Sequence, residues 1–190
     1  MSTTTSRTRV AVMISGAGSN MAALIDAGQA PDSPYDVVLV ISNKPDAGGL
    51  NIAQAKGVRA VAVDHRDFAK NREAHERAID ALLVEADVQI IALAGYMRVL
   101  TPYLVQRWQG RMTNVHPSLL PLYPGLDTHA RAIAAGDAEG GCTVHIVTDG
   151  VDEGPILGQA RVPILRDDTP DSLAERVHVA EHELYPHVLA

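Results

Sequence analysis

Residues 9–25, Arg9-Val10-Ala11-Val12-Met13-Ile14-Ser15-Gly16-Ala17-Gly18-Ser19-Asn20-Met21-Ala22-Ala23-Leu24-Ile25, change their hydrophobic period halfway along. Arg9 to Ser15 is a nearly continuous aliphatic and β-branched run, the pattern of a strand buried on both faces of a parallel sheet. It stops at Gly16, and from Asn20 onward Met21, Leu24 and Ile25 recur at helical spacing. Strand, tight glycine loop and helix together are half of a βαβ unit.

The same alternation continues outward from this unit. Asp36 to Ile41 reads as a second buried strand, Gly48 to Ala55 as a short helix, and the stretch from about Val58 to Val63 as a third strand, with Gly57 where a helix C-terminal cap belongs. A longer helix is expected from about Ala69 to Glu85, with Ile79, Leu82 and Leu83 on its apolar stripe, followed by a strand over Val88 to Leu93. A short helix near Thr101 to Gln106 precedes a strand around Met112 to Val115. That strand runs into His116 to Pro124, too rich in proline for a regular helix or a central strand. A helix over His129 to Ala135, a strand over Thr143 to Val147, a turn at Asp149 to Gly154 and a strand from about Ile156 to Ile164 complete the pattern, with a last helix opened by Thr169 and Pro170. Such alternation predicts an α/β fold with a doubly wound, mostly parallel sheet and right-handed crossovers, in a single domain over residues 1–190, with Met1 to Thr8 as a frayed leader.

Composition narrows the function. A chain of 190 residues with 46% hydrophobic content can bury one substantial core. It carries no run of the roughly 20 apolar residues a bilayer span needs and no signal-peptide pattern at its start, so a cytoplasmic location is expected. Cys142, the only cysteine, excludes an internal disulfide and a cysteine metal cage, and its place in an apolar run reads as a buried, inert thiol. A formal net charge of −7 without a concentrated basic face argues against extended contact with nucleic acid. Nothing in the apolar pattern isolates an interface, so association into a homodimer stays open.

Ligands of doubly wound sheets bind beyond the carboxyl ends of the strands, and the informative residues fall there. Gly16 to Asn20 places small residues at a helix N-terminus, where free N–H groups and the helix dipole favour an anion; a plain tight turn with a Ser or Asn cap fits equally. In Asn114-Val115-His116-Pro117-Ser118-Leu119-Leu120-Pro121, alternation at a strand end points Asn114 and His116 to the same side, and the prolines stiffen the loop around them. Asp149, beyond the strand Thr143 to Val147, approaches His116 if that strand adjoins the one ending at Asn114; its simpler role is to cap the turn. His178 and His182 lie four apart on the last helix with Glu181 between them. Without the H-E-x-x-H order or a third ligand, they describe a solvated or ligand-lining face, and no metal is expected. His129 follows Thr128 at a helix start, where capping accounts for the pair.

Five segments in order, Ile14 to Asn20, Ile41-Ser42-Asn43-Lys44, Leu93 to Leu100, Asn114 to Gly125 and Val147-Thr148-Asp149, resemble the phosphoribosylglycinamide formyltransferases over nearly the whole chain. Asn114 to Pro121 is similar to folate-dependent formyltransferases generally, while Gly18-Ser19-Asn20 and Tyr123-Pro124-Gly125 resemble the ribonucleotide branch. The resemblance implies a Rossmann-like formyltransferase fold. It also implies transfer of the formyl group of N10-formyltetrahydrofolate, as co-substrate, to the amine of 5'-phosphoribosylglycinamide in purine synthesis. It implies a catalytic trio of Asn114, His116 and Asp149, a phosphate and ribose site of Gly18, Ser19, Asn20 and Glu181, and a folate site along Arg72, Met97, Arg98, Val99, Leu100 and Asn114. Ala130 and Asp127 depart from the family pattern around Thr128-His129, where a longer polar residue usually stands at Ala130.

Three other functions compete. A formyltetrahydrofolate deformylase would share the trio and the folate site but use water as acceptor, and usually adds an N-terminal regulatory domain. A methionyl-tRNA formyltransferase would add a basic RNA-binding domain. A non-catalytic folate or nucleotide module on the same fold would gain nothing from keeping the trio.

Overall fold

The computed structural model describes residues 6–190. Of the leader expected over residues 1–8, residues 1–5 lie outside the described part. Thr8 already opens the first strand, and Arg7 is tied to Asp36 at 2.8 Å and to the carbonyls of Gly28, Ala30 and Pro31.

Seven strands form one sheet: β1 (Thr8–Ile14), β2 (Tyr35–Ser42), β3 (Arg59–Ala62), β4 (Ile90–Leu93), β5 (Met112–His116), β6 (Glu139–Ile146) and β7 (Ile156–Pro163), in the spatial order β3-β2-β1-β4-β5-β6-β7. β1 to β5 are mutually parallel, β6 alone runs against them, and β7 turns back to their direction. The order reverses between β1 and β4, which is the topological switch point where such sheets open a crevice for ligands. An α/β sheet of mostly parallel strands is therefore what the alternation implied; the antiparallel β6 is what it did not.

β1 explains the architecture. Val10, Ala11, Val12, Met13 and Ile14 are all fully buried. Val10, Val12 and Ile14 join a core layer on one side of the sheet with α1 (Ser19–Gly28), α2 (Gly48–Ala55) and α6 (Pro170–Leu189). Ala11 and Met13 join a second layer on the other side with α3 (Arg72–Glu85) and α4 (Pro102–Arg107). A strand apolar on both faces requires helices on both faces, and right-handed crossovers supply them. Tyr185 of α6, fully buried, donates its hydroxyl to the Leu93 carbonyl at 3.1 Å, which fixes the last helix over β4.

Boundaries differ from the sequence expectation where turns intervene. The long helix starts at Arg72 rather than Ala69, because Ala69 and Lys70 take positive φ after a single 3-10 turn over His65–Phe68, and the Asn71 side chain caps the helix by accepting from the Ala74 N–H. β6 begins at Glu139, four residues earlier than expected, because Gly140 and Gly141 interrupt the apolar pattern while the backbone continues to pair with Val162 and Arg161. Among the described residues no helix is long and apolar enough to cross a membrane.

One buried carboxylate links the fold to the loop after β4. Glu76, 2% exposed on α3, accepts from the Thr101 N–H at 2.7 Å and from the Thr101 hydroxyl at 2.5 Å, pinning residues 97–100 from behind. Removing it takes the acceptor from both donors of the half-buried Thr101, so Glu76→Ala should lose about 2 kcal/mol of stability in urea denaturation; an unchanged midpoint would show that water replaces the carboxylate at no cost.

Candidate functional site

The loop after β1 turns at Gly18, which adopts φ 76 as the N-cap of α1. The first helical bond is Ala22 N–H to the Gly18 carbonyl, so the N–H groups of Ser19, Asn20 and Met21 precede it and point out of the helix end. Gly49 of α2 packs directly on this loop: its N–H donates to the Gly16 carbonyl at 3.0 Å, and a Cβ there would stand 3.2 Å from the Gly18 Cα. Asn20 is buried and donates Nδ2 to Glu181 Oε2 at 2.7 Å, while its buried Oδ1 has no partner among the described residues. Burial raises the Glu181 pKa, with Asn20 and the charge of His178 opposing that shift. The fold thus brings residues 161 positions apart into one polar pair beside the open N–H groups, a setting for a small anion carrying hydroxyls.

On the other side of the switch point, the loop after β4 leaves Met97 and Val99 exposed, at 68% and 63%. Its backbone is fixed nonetheless. The Met97 N–H donates to Ser15 Oγ at 2.8 Å, Ser15 donates to Asn43 Oδ1 at 2.5 Å, and Arg72 reaches the Val99 carbonyl at 3.4 Å. Arg98 and Leu100 are half-buried in the same loop. Apolar side chains on a pinned backbone edge can receive a flat ligand with hydrogen-bonding edges.

Between these regions stand Asn114 and His116, two residues apart on β5 and so on the same face of the sheet. The His116 ring sits between two acceptors: Nε2 meets the Tyr123 carbonyl at 2.9 Å and Nδ1 faces a carboxylate oxygen at 3.4 Å. A carbonyl and a carboxylate can only accept, so each ring nitrogen of His116 faces a group to which it could donate.

That carboxylate belongs to Asp152, not to Asp149, which corrects the expected trio. Asp149 is exposed, and among the described residues no hydrogen bond or ion pair joins it to His116. The reason is strand direction. β6 does adjoin β5, but antiparallel, with His145 opposite Asn114, Ile146 opposite Thr113, and the Val147 N–H bonded to the Met112 carbonyl at 2.8 Å. Each residue after His145 therefore moves away from His116, and Asp149 leaves the site. The chain returns through a tight turn with Asp152 at φ 56. Gly154 lies so close to the Ile146 carbonyl that a Cβ would stand 1.7 Å from the oxygen.

Asp152 then meets two imidazoles at once, His116 through Oδ2 and His145 Nε2 through Oδ1 at 3.6 Å, and accepts from the Gly125 N–H at 2.9 Å. His145, itself 2% exposed, also has Nε2 3.3 Å from Asn114 Nδ2 and Nδ1 2.9 Å from the Ile146 carbonyl. Sequence reading missed both Asp152 and His145. Asp152 lay in the acidic turn already singled out, and His145 alternates with Thr143 on a strand whose direction the pattern could not give.

The remaining histidines form no further centre of this kind. His178 and His182 stack with centroids 6.5 Å apart, and among the described residues no group of three His, Cys, Asp or Glu is gathered to hold a metal ion. Burial, with the charges of His178 and His116, lowers the His129 pKa. Cys142 is fully buried and its thiol is pushed up to about 12 by burial, which makes it inert.

Residues 8–189 match the family model described as formyl transferase. The chain is 52% identical over 186 residues, 97% of its length, to the trifunctional purine biosynthetic protein adenosine-3 of Drosophila melanogaster, of which it spans 14%. It is 44% identical over 181 residues to the phosphoribosylglycinamide formyltransferase of Haemophilus influenzae, covering 95% of this chain and 85% of the relative. The crystal structure of the phosphoribosylglycinamide formyltransferase from Brucella melitensis superposes with a TM-score of 0.93 at 53% identity, covering 97% of this chain and 94% of the other.

Burial alone would raise the Asp152 pKa, but the His145 ring, the Gly125 N–H and the charges of both imidazoles outweigh it and hold the carboxyl below its usual range. A carboxyl so lowered contributes stability above its unfolded value of about 3.9 and loses it as pH falls through the folded value. The stability gap between the wild type and Asp152→Asn should therefore hold steady from about pH 6 to 5 and close below about pH 4 in acid denaturation; a gap that widened toward low pH would contradict the pairing.

Proposed function

The chain belongs to the formyl transferase family, and we propose that its reaction is the one its phosphoribosylglycinamide formyltransferase relatives are named for, with N10-formyltetrahydrofolate as the donor. The formyl group moves to the amine of 5'-phosphoribosylglycinamide, giving 5'-phosphoribosyl-N-formylglycinamide and tetrahydrofolate, a step of purine synthesis. The observation that carries the reading at residue level is the Asn114, His116 and Asp152 cluster between an anion-ready helix end and a pinned apolar loop.

The substrate phosphate binds the N–H groups of Ser19 and Asn20 after Gly18, and Glu181, oriented by Asn20, takes the ribose hydroxyls. The folate lies on Met97, Arg98, Val99 and Leu100, with Arg72 at its edge and Asn114 beside its reacting end. This brings the glycinamide nitrogen to the formyl carbon across β5.

The amine lone pair adds to the formyl carbon and the carbonyl electrons move to oxygen. Asn114 Nδ2 donates to that oxyanion, and the imidazole of His116, able to carry positive charge, lies on the same face of the strand. Asp152, between two imidazoles, orients His116 and takes the proton that the attacking nitrogen loses. As the oxyanion electrons re-form the carbonyl and the bond from carbon to N10 breaks, that proton passes from Asp152 to N10 and tetrahydrofolate leaves. No bond to the enzyme forms at any stage.

A hydrolase using water as acceptor would need no partner for the Asn20 and Glu181 pair, and that pair favours the ribonucleotide acceptor. Mixing the protein with N10-formyltetrahydrofolate, with and without the ribonucleotide, separates the two by absorbance. Transfer requires the ribonucleotide, whereas folate release without it would make the protein a hydrolase.

One oxyanion donor is worth on the order of 3 kcal/mol, so Asn114→Ala should slow turnover about a hundredfold while folding normally; full turnover would remove Asn114 from the mechanism. The two aspartates of the turn divide sharply. Asp152→Ala should cost at least about a hundredfold in kcat, and Asp149→Ala should stay within about twofold; the reverse order would restore Asp149 to the trio.

A further inference from the structure

The segment Tyr123-Pro124-Gly125 serves both members of the acid and imidazole pair through its backbone. The Tyr123 carbonyl accepts from His116 Nε2 at 2.9 Å, and two residues on the Gly125 N–H donates to Asp152 at 2.9 Å. Where this segment goes, the imidazole and the carboxylate go with it.

The segment does not rest in a relaxed backbone conformation. Tyr123 has φ 54 and Asp127 has φ 56, in the left-handed region that non-glycine residues rarely occupy, so something outside must hold both bends. Proline at 124 and glycine at 125, the latter at φ 81, suit the turn but do not fix it relative to β5. The holding group is Arg131 on the helix α5 (Thr128–Ala135). Its Nη1 donates to the Pro124 carbonyl at 2.7 Å and to the Leu126 carbonyl at 3.2 Å, and its guanidinium lies 5.2 Å from the centre of the Tyr123 ring. The opposite end of that ring is fixed by the Tyr123 hydroxyl, which donates to Asp137 at 2.6 Å.

Arg131 itself is exposed, and among the described residues no hydrogen bond or ion pair joins it to His116 or Asp152, so its part in this arrangement runs through the segment it holds. Both bonds come from one nitrogen, which a lysine ammonium could imitate in part, but the flat guanidinium that lies on the Tyr123 ring at the same time has no counterpart in lysine. Arg131 also stands one residue past Ala130, where the small side chain departs from the longer polar one expected.

We propose that Arg131, working with Asp137 through Tyr123, is a positioning residue: it clamps the Tyr123 to Gly125 segment so that the Tyr123 carbonyl and Asp152 stay aligned on the two ring nitrogens of His116. The proposal rests on the transfer reading above for its kinetic consequence, and on the geometry alone for its spectroscopic one. An ångström of misplacement in a reacting group costs up to about a hundredfold, so a loosened clamp should cost about tenfold in kcat. KM for both substrates should stay within about twofold, because Arg131 touches neither proposed ligand site.

The test compares wild type, Arg131→Ala and Arg131→Lys by kinetics with both substrates, by thermal melting, and by nitrogen NMR of the His116 ring in histidine-labelled protein. Expected are an unchanged melting temperature in both variants, the kcat loss in Arg131→Ala with partial recovery in Arg131→Lys, and a His116 ring signal displaced from its wild-type position in Arg131→Ala. An unaltered kcat with an unaltered ring signal would overturn the proposal, and so would a KM change with kcat intact, which would make Arg131 a binding residue. Should the wild type show no ribonucleotide-dependent transfer, the transfer reading fails while the ring signal still decides the role of Arg131.

Discussion

β1 is a strand with no polar face. Five consecutive residues, Val10 to Ile14, are fully buried, alternately in two separate core layers. Burying both faces of the central strand confines helices to both sides and leaves the strand ends as the only places where backbone groups meet solvent. The anion-ready end of α1, the pinned loop after β4 and the ends of β5 and β6 converge there, at the carboxyl ends of the parallel strands. The site is thus a consequence of how the core is covered.

Within that opening the chemistry is arranged around one imidazole. His116 has a carbonyl on one nitrogen and a carboxylate on the other, and the carboxylate is shared with a second buried histidine, His145. Burial works against a charged Asp152, yet two imidazoles and a backbone N–H more than compensate. Such an arrangement fixes an imidazole and its carboxylate in place before any ligand arrives, which is the condition under which electrostatic stabilisation carries little reorganisation cost. The backbone of Tyr123 and Gly125 supplies the remaining fixed points, so a loop without a single catalytic side chain contributes to the site through its shape.

The likeness to the Drosophila melanogaster trifunctional protein covers nearly all of this chain and 14% of that one. Within the chain, the bonds of Glu76 to Thr101, Tyr185 to Leu93, Asn20 to Glu181 and Arg131 to Pro124 each tie one element or loop near the site to another.

The amino-acid sequence by itself determined the alternation of strands and helices, the parallel central sheet, and the side-by-side placement of Asn114 and His116, because each of these follows from local hydrophobic period or from the two-residue repeat of a strand. Motif likeness pointed to the formyl transferases, and identity over nearly the whole length shows that family. Tertiary structure alone decided which aspartate reaches the imidazole. Asp149 and Asp152 stand three residues apart in one acidic turn and are equivalent in composition, and the choice depends on β6 running antiparallel to β5, a pairing between distant segments that leaves no local trace. The same holds for His145 opposite Asn114, and for Asn20 meeting Glu181 across 161 positions: the long-range register that makes each contact is set by how whole elements pack, not by the residues beside them.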